Sequence, residues 1–421
     1  MDRFLIQGGI PLKGEVKISG AKNAALPVLC SSILAERRCR YFNVPNLKDI
    51  STIIKVLETL GAKVSRDHDN TIIVDPSQIT SYEAPYNLVK TMRASILVLG
   101  PLVAKYKRAK VSLPGGCAIG VRPIDQHLKG LEKMGAQIEM SHGYVLASTK
   151  GLKGARIIFD KPTVGGTENI MMAATMAEGT TRIEGAAKEP EIADLADALS
   201  RMGAKIKGAG GATITIEGVK RLDGATHTII PDRIEAGTFM VAAAITRGTL
   251  IIKGVRPEHS KTFMEKLEGM GVVIEKIDAD TILVDGRNGI KPIDVETAPF
   301  PGFPTDMQAQ IMALACIADG VSSITENIFE NRFMHVPELM RMGADIEEKG
   351  RTVLVRGVDR LQGAIVMATD LRASASLVLA ALNAENTTEI RRIYHLDRGY
   401  ENIDDKLSSL GVRIERKRGG L

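Results

Sequence analysis

One helix-end signature occurs six times in this chain, and only an internally repeated fold can accommodate it. Its copies are Leu57-Glu-Thr-Leu-Gly61-Ala-Lys-Val64, Leu131-Glu-Lys-Met-Gly135-Ala-Gln-Ile138 and Leu199-Ser-Arg-Met-Gly203-Ala-Lys-Ile206. The others are Leu267-Glu-Gly-Met-Gly271-Val-Val-Ile274, Leu339-Met-Arg-Met-Gly343-Ala-Asp-Ile346 and Leu407-Ser-Ser-Leu-Gly411-Val-Arg-Ile414. Their glycines are spaced 68 to 74 residues apart. Each copy reads as the last turn of a helix, stopped by a C-terminal glycine and followed by a strand. Upstream in each unit lies a second helix, apolar nearly all round, as at 24–35, 170–177 and 374–381. Such helices belong at the centre of a domain, with the less apolar signature helices outside or between sheets. Short β-rich pieces at 71–74, 213–216 and 281–284 fill the gaps, so each unit reads β-α-β-α-β-β.

Six units divide into three plus three. The last stops soon after Arg413-Ile-Glu-Arg416, leaving little chain for a closing strand, which residues 3–7 would supply. The expected fold is α/β, with residues 21–230 forming one domain and residues 1–20 plus 231–421 the other. The active site is expected in the cleft between them.

Composition narrows the function. Aromatic residues make up 4% of the chain, with no Trp, against 41 glycines, so the core is aliphatic and closely packed. The start, MDRFLIQGGIPLKG, has no signal-peptide apolar region, and no run of 18 apolar residues follows, so no membrane association is expected. Cys30, Cys39, Cys117 and Cys316 lie far apart without metal-ligand spacing, which fits reduced thiols in the cytoplasm. A net charge of +5, with both signs interspersed, suits a small anionic substrate. Nucleic acid is disfavoured, because basic residues form no block and do not interleave with aromatics.

A second regularity concerns charge. Lys22, Arg93, Thr163, Arg233, Asp306 and Arg372 each lie 37 to 42 residues before their own unit's glycine, just ahead of the apolar helix. Helix N-termini attract anions, so six polar side chains at such ends suggest an anion site; the alternative is a set of caps and first-turn charges on a solvated face. Arg122 and Arg398 each precede their glycine by 13 residues and Arg332 by 11. Arginines starting a helix would oppose its dipole, a conflict that an anionic ligand would remove.

Within Pro114-Gly-Gly-Cys117-Ala-Ile-Gly-Val-Arg122-Pro-Ile-Asp125, two glycines precede a lone cysteine. A nearby guanidinium and backbone N–H groups can pull a thiol pKa below its free value of about 8.5, making an acid or nucleophile. The same stretch also reads as a glycine-rich turn with an incidental cysteine.

Taken together, Ser19-Gly-Ala-Lys22-Asn23-Ala, the Cys117 stretch, Phe303-Pro-Thr-Asp306-Met-Gln-Ala-Gln, Glu330-Asn-Arg332-Phe-Met-His-Val-Pro-Glu-Leu, Thr369-Asp370-Leu-Arg372-Ala and Asp397-Arg398-Gly-Tyr-Glu-Asn-Ile-Asp resemble the UDP-N-acetylglucosamine enolpyruvyl transferases over essentially the whole chain. The resemblance implies a pair of inside-out α/β barrels, each of three β-α-β-α-β-β repeats. It implies transfer of the enolpyruvyl group of phosphoenolpyruvate to the 3-hydroxyl of UDP-N-acetylglucosamine with release of phosphate, the first committed step of peptidoglycan synthesis, without metal or cofactor. It further implies that Cys117 is the thiol acid, forms a phospholactoyl adduct and is the point of fosfomycin alkylation, and that Asp306 is the base near the sugar hydroxyl. By the same resemblance Lys22, Arg122 and Arg398 hold phosphoenolpyruvate, Asn23 bonds the intermediate, and Arg332, Asp370 and Arg372 complete the polar cleft. Arg93, the turn Arg122, Pro123, Ile124, Asp125 and Gln126, the turn Lys161, Thr163 and Val164, and Ile328 line the nucleotide-sugar site. Two departures bear on that site: Gln126 stands where leucine is common, and Pro162-Thr163 where Val-Ser is common.

The shikimate-pathway enolpyruvyl transferase shares fold and donor, but the Cys117 loop and the nucleotide-binding turns argue against it. RNA 3′-phosphate cyclase uses related repeats but needs a nucleophilic histidine, and neither His127 nor His335 has a matching motif. A silent nucleotide-sugar sensor should have lost the acid or base, yet Cys117, Asp306 and Lys22 are all present.

Overall fold

A computed structural model of the chain describes residues 2–67, 69–90, 92–113 and 124–419. The fold is α/β, and the chain divides into two compact units: residues 20–113 with 124–230, and residues 2–19 with 231–419.

Each unit carries three four-stranded sheets. In the 20–230 unit one sheet orders its strands Arg156–Ile158, Thr180–Glu184, Thr213–Glu217 and Lys205–Lys207, the first pair parallel and the others antiparallel. The helix Val164–Ala174 joins the parallel strands and Pro190–Arg201 leads to the antiparallel ones. A parallel pair needs such a helical crossover, whereas a hairpin suffices for the rest. The same pattern holds for Glu83–Ala84, Arg108–Ser112, Tyr144–Ser148 and Gln137–Ser141. In the remaining sheet, Thr226–Thr228 pairs in parallel with Cys39–Phe42, so its first strand comes from the far end of the unit. The sequence pattern gives no sign of that strand's partner.

The other unit repeats the plan. Lys13–Lys17 pairs in parallel with Thr249–Lys253, and Asp294–Glu296 with Val321–Thr325. In the sheet ordered Ile365–Met367, Thr387–Arg391, Arg3–Gln7 and Arg413–Lys417, the strand Arg3–Gln7 lies antiparallel to both neighbours. Phe4 and Ile6 are wholly buried while Arg3 and Gln7 face water, the alternation of a sheet with one covered face.

All six signature glycines have φ between 88° and 109°. An L-residue in that left-handed region costs about 1–2 kcal/mol, which is why glycine ends each helix. At the first, the Gly61 N–H donates to the Glu58 carbonyl at 2.9 Å and the Ala62 N–H to Leu57 at 3.0 Å.

Each unit has its own hydrophobic core built around three central helices, which all touch one another in the 231–419 unit, while in the 20–230 unit Val164–Ala174 touches both of the others. They are Lys22–Ser31, Leu99–Tyr106 and Val164–Ala174 in one unit, and Arg233–Ile245, Gln308–Ala315 and Leu371–Asn383 in the other. Nine of ten residues of Lys22–Ser31 and twelve of thirteen of Arg233–Ile245 are buried, so these helices have no solvent face. Their hydroxyls therefore turn back on their own backbone: Ser31 donates to the Val28 carbonyl at 2.7 Å and Ser376 to Ala373 at 2.8 Å. Close approach is enforced at Gly100, where a Cβ would lie 2.3 Å from the Asn169 carbonyl oxygen. Among the described residues no helix is long and apolar enough to cross a membrane.

Candidate active site

The six polar residues spaced before the signature glycines all occupy the starts of helices. Lys22 and Arg233 open α-helices, Arg93 opens the 3-10 turn Arg93–Val98, and Asp306 lies in the 3-10 turn Thr305–Met307. Thr163 is an N-cap whose hydroxyl accepts the Gly166 N–H at 3.3 Å, and Arg372 is in the first turn of Leu371–Asn383.

In the 20–230 unit, Lys22 is buried and its Nζ donates to Asp49 Oδ2 at 3.2 Å. Asp49 belongs to the first turn of Lys48–Leu60, where a carboxylate also favours the helix dipole. Asn23, next to Lys22, is half-buried. His127 is buried, its Nδ1 lying 3.1 Å from the Asn169 amide, which also bonds the Ile96 carbonyl. Burial and then the nearby Arg93 push the His127 pKa down to about 4, so the imidazole is neutral at pH 7. Gln126 joins two of the expected nucleotide-binding turns: its Nε2 donates to the Lys161 carbonyl at 3.2 Å, and its Oε1 accepts the Asp160 N–H at 3.1 Å. Leucine at that position could make neither bond. Ile124 is buried, while Asp125, Lys161 and Val164 are exposed. Cys117, Arg122 and Pro123 lie outside the described residues.

In the other unit three expected residues meet at one carboxylate. Arg332 Nη2 donates to Asp306 Oδ1 and Arg372 Nη2 to Asp306 Oδ2, both at 2.9 Å. Both guanidiniums are buried, Arg332 over Phe329 with 5.3 Å from its Cζ to the ring centroid and Arg372 over Tyr400 at 5.6 Å. Burial alone would lower the Arg372 pKa, but Asp306 leads a set of partners that raises it above the ordinary arginine value. Among the described residues, neither buried Nη1 has a hydrogen-bond partner. Two buried donors beside a carboxylate can therefore receive a further anionic or carbonyl group.

Asp370 works locally, its Oδ1 accepting the N–H groups of Arg372 at 2.9 Å and Ala373 at 3.1 Å as the cap of the arginine's helix. Tyr400 anchors the same region, its hydroxyl 2.9 Å from Thr238 Oγ1 and accepting from Gln310 at 3.2 Å. Ile328 lies on a loop whose N–H bonds Glu326, a buried carboxylate that the sequence reading passed over.

The dipole argument for the arginines needs correction. Arg398 closes the 3-10 helix Ile393–Arg398 and precedes the helix Ile403–Ser409, and Arg332 precedes the helix Val336–Arg341. Neither opens a helix, and Arg398 sits at a helical C-terminus, where positive charge is favourable. Neighbouring Asp397 accepts two hydrogen bonds from Arg416, at 3.0 and 3.2 Å, which fixes the turn carrying Arg398.

A model of the EPSP synthase family (3-phosphoshikimate 1-carboxyvinyltransferase) matches residues 6–407. The chain is similar to UDP-N-acetylglucosamine 1-carboxyvinyltransferases from Geobacter metallireducens, at 60% identity, and Geotalea daltonii, at 59%, each over 416 residues and 99% of both chains. Among solved structures, the enolpyruvyl transferase NikO from Streptomyces tendae superposes with a TM-score of 0.90 at 26% identity, over 100% of this chain and 99% of that one. EPSP synthase from Acinetobacter baumannii, at 0.78 and 19% identity over 99% of this chain and 100% of that one, shares the fold. The chain belongs to the EPSP synthase family and, within it, to the UDP-N-acetylglucosamine 1-carboxyvinyltransferases.

Proposed function

We infer that this protein transfers the enolpyruvyl group of phosphoenolpyruvate to the 3-hydroxyl of UDP-N-acetylglucosamine, releasing phosphate, as the first committed step of peptidoglycan synthesis. The observation that carries the reading is Asp306 held between two buried arginines, each with a second donor still to be satisfied. Family membership at about 60% identity over nearly the whole chain supports it. An inside-out α/β barrel of three repeats in each domain, working in the cytoplasm without nucleic-acid partners, belongs to the same reading.

The chemistry is an addition followed by an elimination. Cys117 gives a proton to the enolpyruvate methylene while the sugar oxygen bonds to C2 and Asp306 takes the hydroxyl proton. The tetrahedral adduct then loses phosphate by cleavage of the bond between C2 and the phosphate oxygen, while the Cys117 thiolate takes a proton from the methyl group and the double bond is restored. Lys22, Arg122 and Arg398 balance the phosphate and carboxylate charge, Arg332 and Arg372 orient Asp306, and Asn23 bonds the intermediate. Arg93, Gln126, Lys161, Thr163, Val164 and Ile328 hold the nucleotide sugar, with Pro123, Ile124 and Asp125 shaping its turn; Asp370 caps the Arg372 helix.

Mass spectrometry after incubation with both substrates tests this reading: a phospholactoyl adduct is expected on the Cys117 peptide. Cys117→Ser should abolish turnover and fosfomycin sensitivity, while Cys117→Asp should turn over and resist the drug. Full activity in Cys117→Ser would refute the thiol's role as acid.

A further inference from the structure

Two loops leave the same end of a parallel strand pair in the 231–419 unit. One follows Asp294–Glu296 and leads to Thr305 and Asp306; the other follows Val321–Thr325 and leads to Ile328 and Arg332. Loops at the carboxyl ends of parallel strands are where α/β proteins build their sites.

Glu326, 1% exposed, is the first residue of the second loop. Its Oε1 accepts from the Thr297 hydroxyl at 2.9 Å, the Ile328 N–H at 2.7 Å and the Phe329 N–H at 3.1 Å. Its Oε2 accepts from the Thr305 hydroxyl at 2.9 Å. Thr297 and Thr305 belong to the loop carrying Asp306, and Ile328 and Phe329 to the loop carrying Arg332. One buried carboxylate thus ties both loops together, and the Asn327 N–H adds a bond to Thr297 at 2.9 Å. In four other repeats the residue after the equivalent strand is a left-handed turn former: Asn43, Gly185, Gly254 and Arg392, with φ of 57°, 71°, 69° and 59°. A glutamate without that backbone geometry sets this repeat apart.

We propose that Glu326 is a positioning residue for the transfer reaction, setting Asp306 and Arg332 at their bonded separation and shaping the backbone at Ile328. The inference rests on the proposed function for its consequences in turnover, but the brace itself is measurable without turnover. Misplacing a catalytic group by about 1 Å can cost about 100-fold in rate. Glu326→Ala should therefore lower kcat by roughly 10- to 100-fold. It should raise KM for UDP-N-acetylglucosamine about threefold or more and leave KM for phosphoenolpyruvate within about twofold, a split that general loss of stability would not produce. Glu326→Gln keeps an acceptor for Thr297, Ile328 and Phe329, and the Thr305 hydroxyl can turn to accept from the new amide, so it should stay within about threefold of wild type. Glu326→Asp is one methylene too short to reach both loops and should resemble the alanine variant if that one fails to fold.

The experiment measures phosphate release, thermal unfolding and amide hydrogen exchange on the full chain and the three variants. Exchange at Ile328 and Phe329 should rise at least tenfold in Glu326→Asp and remain close to wild type in Glu326→Gln. Unchanged exchange in Glu326→Asp, or wild-type kcat in it, would overturn the proposal. A wild-type protein that releases no phosphate refutes the proposed function instead, and the exchange measurement then decides the brace alone.

Discussion

Replacing Asp306 with alanine removes the acceptor shared by Arg332 and Arg372 and leaves their side chains 3% and 5% exposed. Breaking a buried ion pair by deleting one partner costs about 3–5 kcal/mol, because a charge stays behind in a poorly solvated place. Asp306 is itself 27% exposed, so water repays part of that loss and about 3 kcal/mol is the better figure. At about 2–4 °C per kcal/mol for a domain of this size, the transition of the 231–419 unit should fall by about 6–12 °C. Differential scanning calorimetry at pH 7.5 reads this directly, with denaturant unfolding as a check. The decisive comparison adds Arg332→Met to the alanine variant. If the penalty comes from stranded positive charge, the double variant regains stability relative to Asp306→Ala, although Arg332→Met alone is destabilising. A double variant less stable than either single one would refute the electrostatic account and point to lost packing. Both forms of Asp306→Ala should be nearly inactive, since the proposed base is gone.

Further predictions concern charge and the turns proposed to hold the nucleotide sugar. Gln126→Leu removes two hydrogen bonds to the 160–161 backbone. KM for UDP-N-acetylglucosamine should rise by roughly three- to tenfold, matching about 0.5–1.5 kcal/mol of net bonding, with kcat little changed; a kcat loss of the same size would contradict a pure binding role. Glu168 is buried, and burial first, then Glu191 and Glu189, raises its pKa well above the usual carboxylate value. The unfolded chain releases this proton above about pH 4.3 while the folded chain keeps it, so the native state binds more protons and its stability falls as pH rises. Glu168→Gln has no proton to lose, and its stability relative to wild type should grow between pH 5 and pH 8 in denaturant titrations. A constant difference across that range would show that Glu168 is ionised in the fold.

Much of this architecture can be read in one dimension because backbone geometry forces it. A left-handed helix stop selects glycine, so Gly61, Gly135, Gly203, Gly271, Gly343 and Gly411 mark the repeats before any coordinate is known. Helices buried on every side advertise themselves by composition, and the polar residues at their starts recur at matched distances. What stays hidden depends on convergence from distant segments. Glu326 is one more acidic residue after a strand until Thr297, Thr305, Ile328 and Phe329 arrive around it. Tyr400 sits in a recognisable motif, yet its bonds to Thr238 and Gln310 come from two other helices. The meeting of Arg332 and Arg372 on Asp306 is likewise tertiary: each residue was nameable, but not their common partner. The helix end that Arg398 occupies is hidden for a different reason, since a short 3-10 turn leaves no periodic signal.

The strand Arg3–Gln7 fills an interior place in its sheet, with Phe4 facing Ile390 on one side and Arg416 on the other. During synthesis residues 3–7 leave the ribosome long before those partners exist, so this segment must wait while the 20–230 unit has all of its own strands in hand. Chaperones that shield exposed strand edges would find their substrate there, and ribosome-bound chains halted before residue 387 should protect the 20–230 unit from protease while residues 3–7 remain cleavable.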